Sequence, residues 1–555
     1  MSGADAAISD VLGSQLQREQ ELEKFFRTAT PQSLKQQLTR MPTAAADQLA
    51  YLNFMLKVLN ELDVQPVQVF SLLETIRPVV YEKFNILTSR FFGKATTFPQ
   101  KVQDLLNQAV QLQSHMAATY DSVVDEARAQ GDKQAFIVGT AIQRAMADKA
   151  HLLYCYVQLY LPVPQQMWKQ FHKLYKVAVE YKLLSQAVPD PMVFPRKPLN
   201  LRQIYLYAMM LGASSTKSMK SADIVVLSDA LKDWVPMINL GDKKTQDPER
   251  QLVINLDLGT PPLFLSEVTN KHSPNLVFLL TEKFVSHIQS LPRYRLRVGF
   301  DEKVLERPML DQLLLQWTQF RSKSNDRIIR NEKVIVTLGL PAVHYYMSGG
   351  ADLQTIMGRT VLDDSEPNGK LAYGDIPREF GGLSNKSAEN KLDRRKHHCE
   401  VVVAIDESPS GYCLEWTDAS PALVVGEIIA IKEKVSPYWK VGEVVWMNKL
   451  EDARVAAGIS LICNDAIPLA AKVLKNSITF KSGSIIPALL CPPDLSLNRK
   501  ESMVLVPSIK LQMGEKLRFT LLGANVNAQY GLQLMQVIRE RHSCVQFECA
   551  YVLPE

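Results

Sequence analysis

The spacing of apolar residues differs between the two halves of the chain. From the N-terminus to about residue 235, apolar residues recur every three or four positions, which is typical of one face of an α-helix. Thr30 followed by Pro31 forms a helix start, with a capping side chain before a proline in the first turn. Further helices are predicted for Gln48 to Leu62, Val67 to Phe92, Gln100 to Gln130, Phe136 to Leu161, Gln165 to Leu184 and Leu201 to Leu211. We therefore predict a helical scaffold or bundle over residues 1–240.

A shorter region of mixed pattern follows, over residues 241–316. Two apolar runs, Gln251 to Leu258 and Tyr294 to Phe300, are short enough to be strands, whereas Asn275 to Gln289 and Leu305 to Phe320 favour helices. This alternation predicts a small α/β connector.

The last 220 residues or so favour strands, because short apolar or alternating runs there are separated by polar turns. A strand-rich domain is predicted over residues 317–475, beginning with a strand from Lys333 to Tyr346 and ending with a short helix from Asp465 to Leu474. A second β-rich module is predicted over residues 476–555, either as a second barrel or as an extension of the first sheet. Its strands are predicted at Ser484 to Leu490, Ser502 to Pro507, Glu515 to Leu522 and Ser543 to Val552, and Gln529 to Glu540 fits either a helix or a strand. The predicted fold class is multidomain α+β.

One predicted hairpin in this half has an acid, a serine and a glycine at its turn. The β-branched run from Glu400 ends in Asp406-x-Ser408-x-x-Gly411, and a second strand-like run from Tyr412 follows at once. Asp-x-Ser-x-x-Gly between two strands resembles the second half of the signature of PilZ domains. The strand-like runs 426–433, 440–448 and 457–462 follow in the order and spacing of that family. The resemblance implies an antiparallel β-barrel that binds the bacterial second messenger cyclic di-GMP.

The first half of the PilZ signature is a pair of arginines, R-x-x-x-R, on a loop before the first strand. This chain has R-x-x-R at Arg327 and Arg330, directly ahead of the strand predicted from Lys333. Alternates are Arg321, Arg394 and Arg395, but between residues 395 and 406 there is room for only one short strand. Choosing Arg327 and Arg330 makes residues 347–397, rich in Gly, Asp, Asn, Ser and Lys, an insertion in the barrel. Its composition fits either a disordered segment or a lid or partner-binding segment over the ligand face.

The resemblance assigns the ligand site to Arg327, Arg330, Asp406, Ser408 and Gly411. Arginine pairs with phosphates and stacks on guanine, while a carboxylate accepts hydrogen bonds from base N–H groups. Two plainer interpretations stay open: the arginines form a solvated face, and the acid and the serine only cap their own turn.

Length, net charge, cysteine content and the motifs that are missing exclude several classes of protein. The chain has 555 residues, a net charge of +5 and seven cysteines without a paired C-x-x-C framework. Such mild charge argues against a nucleic-acid-coating protein, and the sequence contains no secretion signal and no stretch of eighteen apolar residues. It also lacks the common catalytic signatures and paired metal-ligand spacings, with His397-His398-Cys399 as the nearest approach to a metal site. We expect a cytoplasmic protein that is not an enzyme and needs no cofactor or metal.

The function predicted from these observations is that of a cyclic di-GMP effector. It would relay the level of the messenger to a protein partner, through the helical half or the 347–397 insertion, in the control of motility, pili, attachment or exopolysaccharide. The alternative is an adaptor whose degenerate PilZ barrel binds no nucleotide. We expect the two to differ in whether Arg327 and Arg330 converge on the Asp406/Ser408 turn.

Overall fold

The computed structural model describes residues 17–94, 98–131, 135–241, 250–298, 301–320, 327–351, 353–356, 397–434, 436–450, 454–474, 485–508, 511–521 and 530–552. The chain divides into two compact units, Met1–Ser322 and Lys323–Glu555. The first unit is mainly helical, and the second consists mainly of strands. The predicted fold class, a helical half followed by a barrel and a further β-rich module, is confirmed.

The helices of the first unit are α1 (17–28), α2 (Pro31–Leu38), α3 (Ala45–Asn60), α4 (Pro66–Thr88), α5 (Gln100–Ala129), α6 (Ala135–Gln158), α7 (Gln165–Glu180), α8 (Leu201–Gly212), α9 (Ser221–Trp234), α10 (Glu282–Ser290) and α11 (Arg307–Thr318). Thr30 caps α2 as its sequence predicts, since its hydroxyl accepts a hydrogen bond from the Ser33 amide. Pro78 lies inside α4 without dividing it. No helix among the described residues is long and apolar enough to cross a membrane.

A buried ionic cluster joins three parts of this helical unit. The Arg77 guanidinium of α4 lies 2.6 Å from an Asp148 carboxylate oxygen on α6 and 2.9 Å from one of Asp190. The Tyr81 hydroxyl donates to Asp148 over 2.7 Å. Because a buried charge is tolerated only when it is paired, this cluster fixes how α4 and α6 pack.

Six strands are seen among the described residues between α9 and α11. β1 (Asn239–Gly241), β2 (Leu252–Asn255), β3 (Leu263–Phe264) and β4 (Leu276–Leu280) form a sheet in the order β1-β4-β2-β3, and β5 (Arg293–Val298) pairs with β6 (Asp301–Glu306). The helix predicted from Asn275 to Gln289 is wrong over its first half, because Leu276–Leu280 is a strand paired on both sides. A short, uniformly apolar run fits a buried strand as well as a buried helix, and here sheet pairing decides.

Two closed six-stranded barrels make up the second unit. The first contains β7 (Ile328–Leu338), β8 (Cys399–Ser408), β9 (Gly411–Trp416), β10 (Ile428–Glu433), β11 (Trp439–Lys449) and β12 (Val455–Cys463). The second contains β13 (Ile467–Val473), β14 (Ile485–Cys491), β15 (Met503–Pro507), β16 (Lys516–Leu521), β17 (Tyr530–Glu540) and β18 (Cys544–Val552). Two short helices, α12 (Leu340–Met347) and α13 (Leu353–Ile356), follow β7.

Two local predictions in this unit are wrong. The strand expected from Lys333 to Tyr346 stops at Leu338, because Gly339 adopts φ +85° and Pro341 starts a helix. The helix expected from Asp465 to Leu474 is strand β13, which pairs with β14 and β16. Its alanines favour a helix locally, but burial inside a closed barrel overrides that preference. The second barrel thus begins earlier than the start of the module predicted at residue 476.

In addition to the core inside the second barrel, one hydrophobic core extends across both barrels. Helix α12 places Leu340 and Val343 in this core, together with Ile428 and Val441 of the first barrel and Leu489 of the second. The buried His344 ring bonds to the Leu469 carbonyl of β13 over 2.9 Å. The barrels therefore pack as one compact body, with α12 between them.

Candidate functional site

The β8–β9 hairpin is built on a very close strand contact. Ser408 and Gly411 face each other across the turn, and Gly411 also pairs with Ser460 of β12. A Cβ atom on Gly411 would lie 2.2 Å from the Ile459 carbonyl oxygen. The glycine of the motif is therefore needed for the approach of β12, whether or not a ligand is present.

A β-bulge places the arginines at this end of the barrel. Arg330 and Asn331 of β7 together oppose the single residue Ile405 of β8. Asn331 takes up the extra residue with φ +51°, a conformation that asparagine tolerates better than most residues. In a regular strand, side chains three positions apart point to opposite faces. The bulge interrupts that alternation, so that Arg327 and Arg330 both reach the acidic end of β8.

Each arginine is held by one carboxylate of that end. An Arg327 guanidinium nitrogen lies 2.5 Å from an Asp406 carboxylate oxygen, and Arg330 pairs with Glu407. The arginine side chains are 47% and 43% exposed, so both remain within reach of a solute. The hydrogen bond and charge of Glu407 raise the pKa of Arg330 above its ordinary value.

A polar cluster lies next to this pair of arginines. Tyr412 faces Glu407 across the hairpin, and its hydroxyl donates to a Glu433 carboxylate oxygen over 2.5 Å. The Lys440 ammonium lies 2.5 Å from that hydroxyl and 2.7 Å from the same Glu433 oxygen. Burial raises the pKa of the Tyr412 phenol, and the negative charges of Glu433 and Glu407 raise it further. Tyr412 therefore stays a neutral donor.

Two exposed isoleucines lie between the arginines. Ile328 is 59% exposed and Ile329 is 76% exposed, although they pair with Glu407 and Asp406 in the strand register. Large apolar side chains this open are unfavourable in water unless something covers them. They offer apolar contact area beside the two cations.

The structure brings the predicted residues Arg327, Arg330, Asp406, Ser408 and Gly411 to one end of the first barrel. The sequence interpretation missed Glu407, Ile328 and Ile329, although a second acid after Asp406 and two isoleucines between two arginines were visible signals. Arg330 also lies inside β7 and not on a loop before it.

The three alternates, Arg321, Arg394 and Arg395, lie outside the described residues, as does most of the 347–397 insertion. At the end of that segment, His397 stacks on Tyr345 with ring centroids 4.6 Å apart. Within the described parts of the chain, no group of three or more His, Cys, Asp or Glu side chains is placed to hold a metal ion.

Comparison with known proteins gives consistent matches. Residues 32–245 match the family described as cyclic-di-GMP receptor FimW, N-terminal domain. Residues 251–371 and 370–468 match cyclic-di-GMP receptor FimW, middle PilZ domain. The chain is also 23% identical, over 542 residues, to the cyclic-di-GMP receptor FimW of Pseudomonas aeruginosa, with 90% of this chain and 87% of the relative covered. No solved structure matches.

These matches cover the helical region and the first barrel in succession, and the barrel carries the Asp-x-Ser-x-x-Gly hairpin with two arginines beside it. The chain therefore belongs to the PilZ-domain family, as a multidomain member.

Proposed function

We propose that this protein is an effector that binds cyclic di-GMP at the acidic end of β8 in its first barrel. The observation that carries the proposal is the convergence of Arg327 and Arg330 on Asp406 and Glu407 at the motif hairpin. The similarity to a cyclic-di-GMP receptor over most of the chain supports the choice of ligand.

The arginines match the charged parts of this ligand. Cyclic di-GMP has two phosphates and two guanines, and a guanidinium can form paired hydrogen bonds to a phosphate or stack on a base. Arg327 and Arg330 are half-exposed and can turn from their carboxylates towards a solute. The exposed Ile328 and Ile329 would pack on the sugars and base faces.

The hairpin supplies the groups that read guanine. Asp406 is an acceptor for the N1–H and amino hydrogens of the base, and the Ser408 hydroxyl is a further donor or acceptor. Gly411 contributes indirectly, since it lets β9 pack against β12 and so positions Ser408. Once Arg327 turns to a phosphate, Asp406 is released for the base.

The effector role rests on a population shift. Ligand that binds better to one arrangement of the Arg327–Arg330 segment favours that arrangement in proportion to the difference in affinity. We propose that the change is passed to a protein partner through residues 1–240 or through the 347–397 segment. In this proposal the protein works in the cytoplasm and catalyses no step of its own.

Calorimetric titration with cyclic di-GMP tests the binding site. Each charged hydrogen bond contributes roughly 1.5–3 kcal/mol, so losing one arginine should weaken binding about 10- to 100-fold. The variant with both Arg327→Ala and Arg330→Ala should show no measurable heat, and Asp406→Ala should bind at least about tenfold more weakly.

The matched control is Arg454→Ala. Arg454 pairs with Glu415 of the same barrel. It directly precedes β12, whereas Gly411 pairs with Ser460, farther along that strand. This variant should bind like the unchanged protein. If the double arginine variant also binds normally, the assigned site is wrong. If no protein binds any nucleotide, the alternative holds, namely an adaptor with a degenerate barrel.

A further inference from the structure

We propose that Glu407 is a built-in competitor of the ligand, which lowers affinity by holding Arg330 in the unliganded protein. This inference rests on the proposed function and adds a regulatory residue to that site. Glu407 is the x of Asp-x-Ser and is not one of the motif positions. Its role follows from its contacts.

The two neighbouring carboxylates have different surroundings. Asp406 pairs with Arg327 and Glu407 pairs with Arg330, so each arginine is already occupied by an anion. Asp406 retains a use after Arg327 leaves, as an acceptor for guanine. Glu407 faces the neutral Tyr412 phenol, which already donates to Glu433. Asp406 can thus gain a ligand partner, whereas Glu407 only loses Arg330.

Burial makes the loss of this pair costly. The Glu407 side chain is only 18% exposed, compared with 43% for Arg330. When Arg330 turns to a phosphate, a carboxylate that water reaches poorly is left without its cation. Part of the binding free energy is spent on this step, so the affinity is lower than the two arginines alone would give.

Charge balance points the same way. Hydrogen bonds and ion pairs join three cationic groups, Arg327, Arg330 and Lys440, to three anionic groups, Asp406, Glu407 and Glu433. This cluster is therefore neutral before a ligand with two negative phosphates arrives. Removing the Glu407 charge would give it a net charge of +1 and favour a dianion, most strongly at low salt.

The test is calorimetric titration of the full-length chain with cyclic di-GMP, comparing Glu407→Gln with the unchanged protein. Glutamine keeps the size of the side chain and removes its charge. We expect the Kd to fall roughly three- to tenfold, the range for freeing an arginine from a partly exposed pair. The slope of log Kd against log salt should also become steeper. Glu407→Ala should shift the Kd in the same direction.

The control is Glu332→Gln, which removes an exposed charge that acts on Arg330 only at longer range. It should change the Kd less than twofold. Unchanged or weaker binding by both Glu407 variants, with normal binding by the unchanged protein, overturns this inference and leaves the proposed function standing. Absence of binding by every protein, including the unchanged one, is instead a failure of the proposed function.

Discussion

The two barrels of the second unit have the same strand order, but they differ in the side chains at the hairpin between the second and third strands. In each, the six strands close in the order first, second, third, sixth, fifth, fourth, counted along the chain. In each, bulges interrupt the pairing of the fifth strand with the sixth. The second barrel therefore repeats the topology of the PilZ barrel and allows a direct comparison of the equivalent hairpins.

The equivalent turn of the second barrel, between β14 and β15, also contains an acid and a serine, Asp494-x-Ser496. Here the acid accepts its hydrogen bonds from groups in and beside its own turn. Asp494 accepts from the Ser496 amide at 3.0 Å and hydroxyl at 2.5 Å, and from the Asn464 side chain at 2.9 Å. Asn464, Asp465 and Ala466 precede the first strand of this barrel, where the first barrel has Arg327.

The difference teaches which features belong to the fold and which to the site. Both barrels carry a glycine near the start of the fifth strand, Gly442 and Gly531, where a Cβ would approach the sixth strand within 2.6 Å and 2.7 Å. These glycines allow the fifth and sixth strands to approach closely, so they belong to the fold. At the motif hairpin of the first barrel, Arg327 and Arg330 are paired with Asp406 and Glu407, and these are the residues of the proposed ligand site.

The largest expected effect tests whether the two barrels are one cooperative body. The Arg541 guanidinium, just before β18, lies 2.9 Å from Glu443 of β11, and both side chains are 4% exposed. Arg541→Met should destabilise the unit by about 3 kcal/mol, because a buried carboxylate keeps only the half-exposed Arg539. Hydrogen exchange should then speed up in β12 and in β14 together.

Arg454→Met is the control, since it breaks a partly exposed pair within the first barrel, in which Arg454 is 42% exposed, and should cost only about 1 kcal/mol. Faster exchange confined to one barrel in the Arg541 variant would show that the barrels are independent.

An intermediate effect is expected at Gly411, the glycine of the motif hairpin, where β9 lies against β12. Gly411→Ala places a methyl group against the Ile459 carbonyl and should cost about 1–3 kcal/mol of folding free energy, measured by urea denaturation. Pro409→Ala at the tip of the same turn should change it by less than about 1 kcal/mol. Equal stability of both variants would contradict the steric role assigned to the glycine.

The smallest effect compares exposed apolar residues at the two hairpins. Ile329→Ser should weaken cyclic di-GMP binding by roughly threefold to tenfold, about half the value of fully covering one aliphatic side chain, and leave the melting temperature unchanged. Leu495→Ser, at the equivalent turn of the second barrel and 80% exposed, should leave binding unchanged. Calorimetric titration of both variants with cyclic di-GMP measures the two affinities. Equal affinities would show that Ile329 does not contact the ligand.

Local pattern was enough to predict the motif hairpin. The β-branched run of β8, the strand-like run of β9 and the short polar turn between them specify one strand pair, and the downstream strands then fit a barrel. The pairing of Arg327 with Asp406 also follows from the choice of arginines nearest the first strand. It required only that β7 and β8 be neighbours.

Features that depend on pairing between distant strands could not be predicted from the sequence. β4 and β13 have helix-compatible residues, and only the strands on both sides of each make them extended. The R-x-x-R spacing looks defective until the bulge at Asn331 is known. A second barrel was one of two alternatives that the sequence left open, and its strand order was not predicted, because its second hairpin has a longer turn without the motif glycine.

The contact between Gly411 and the Ile459 carbonyl bears on how such barrels should be recognised in other genomes. Selection on this glycine acts through stability, so a barrel that stopped responding to its messenger would still retain it. Arg327 and Asp406 form a partly exposed ion pair whose loss should cost the fold little, so we expect mutational drift to replace them first. A sequence search weighted towards the glycine would therefore also find barrels that no longer bind the messenger. A search weighted towards the arginine–acid pairs would find barrels that still bind it.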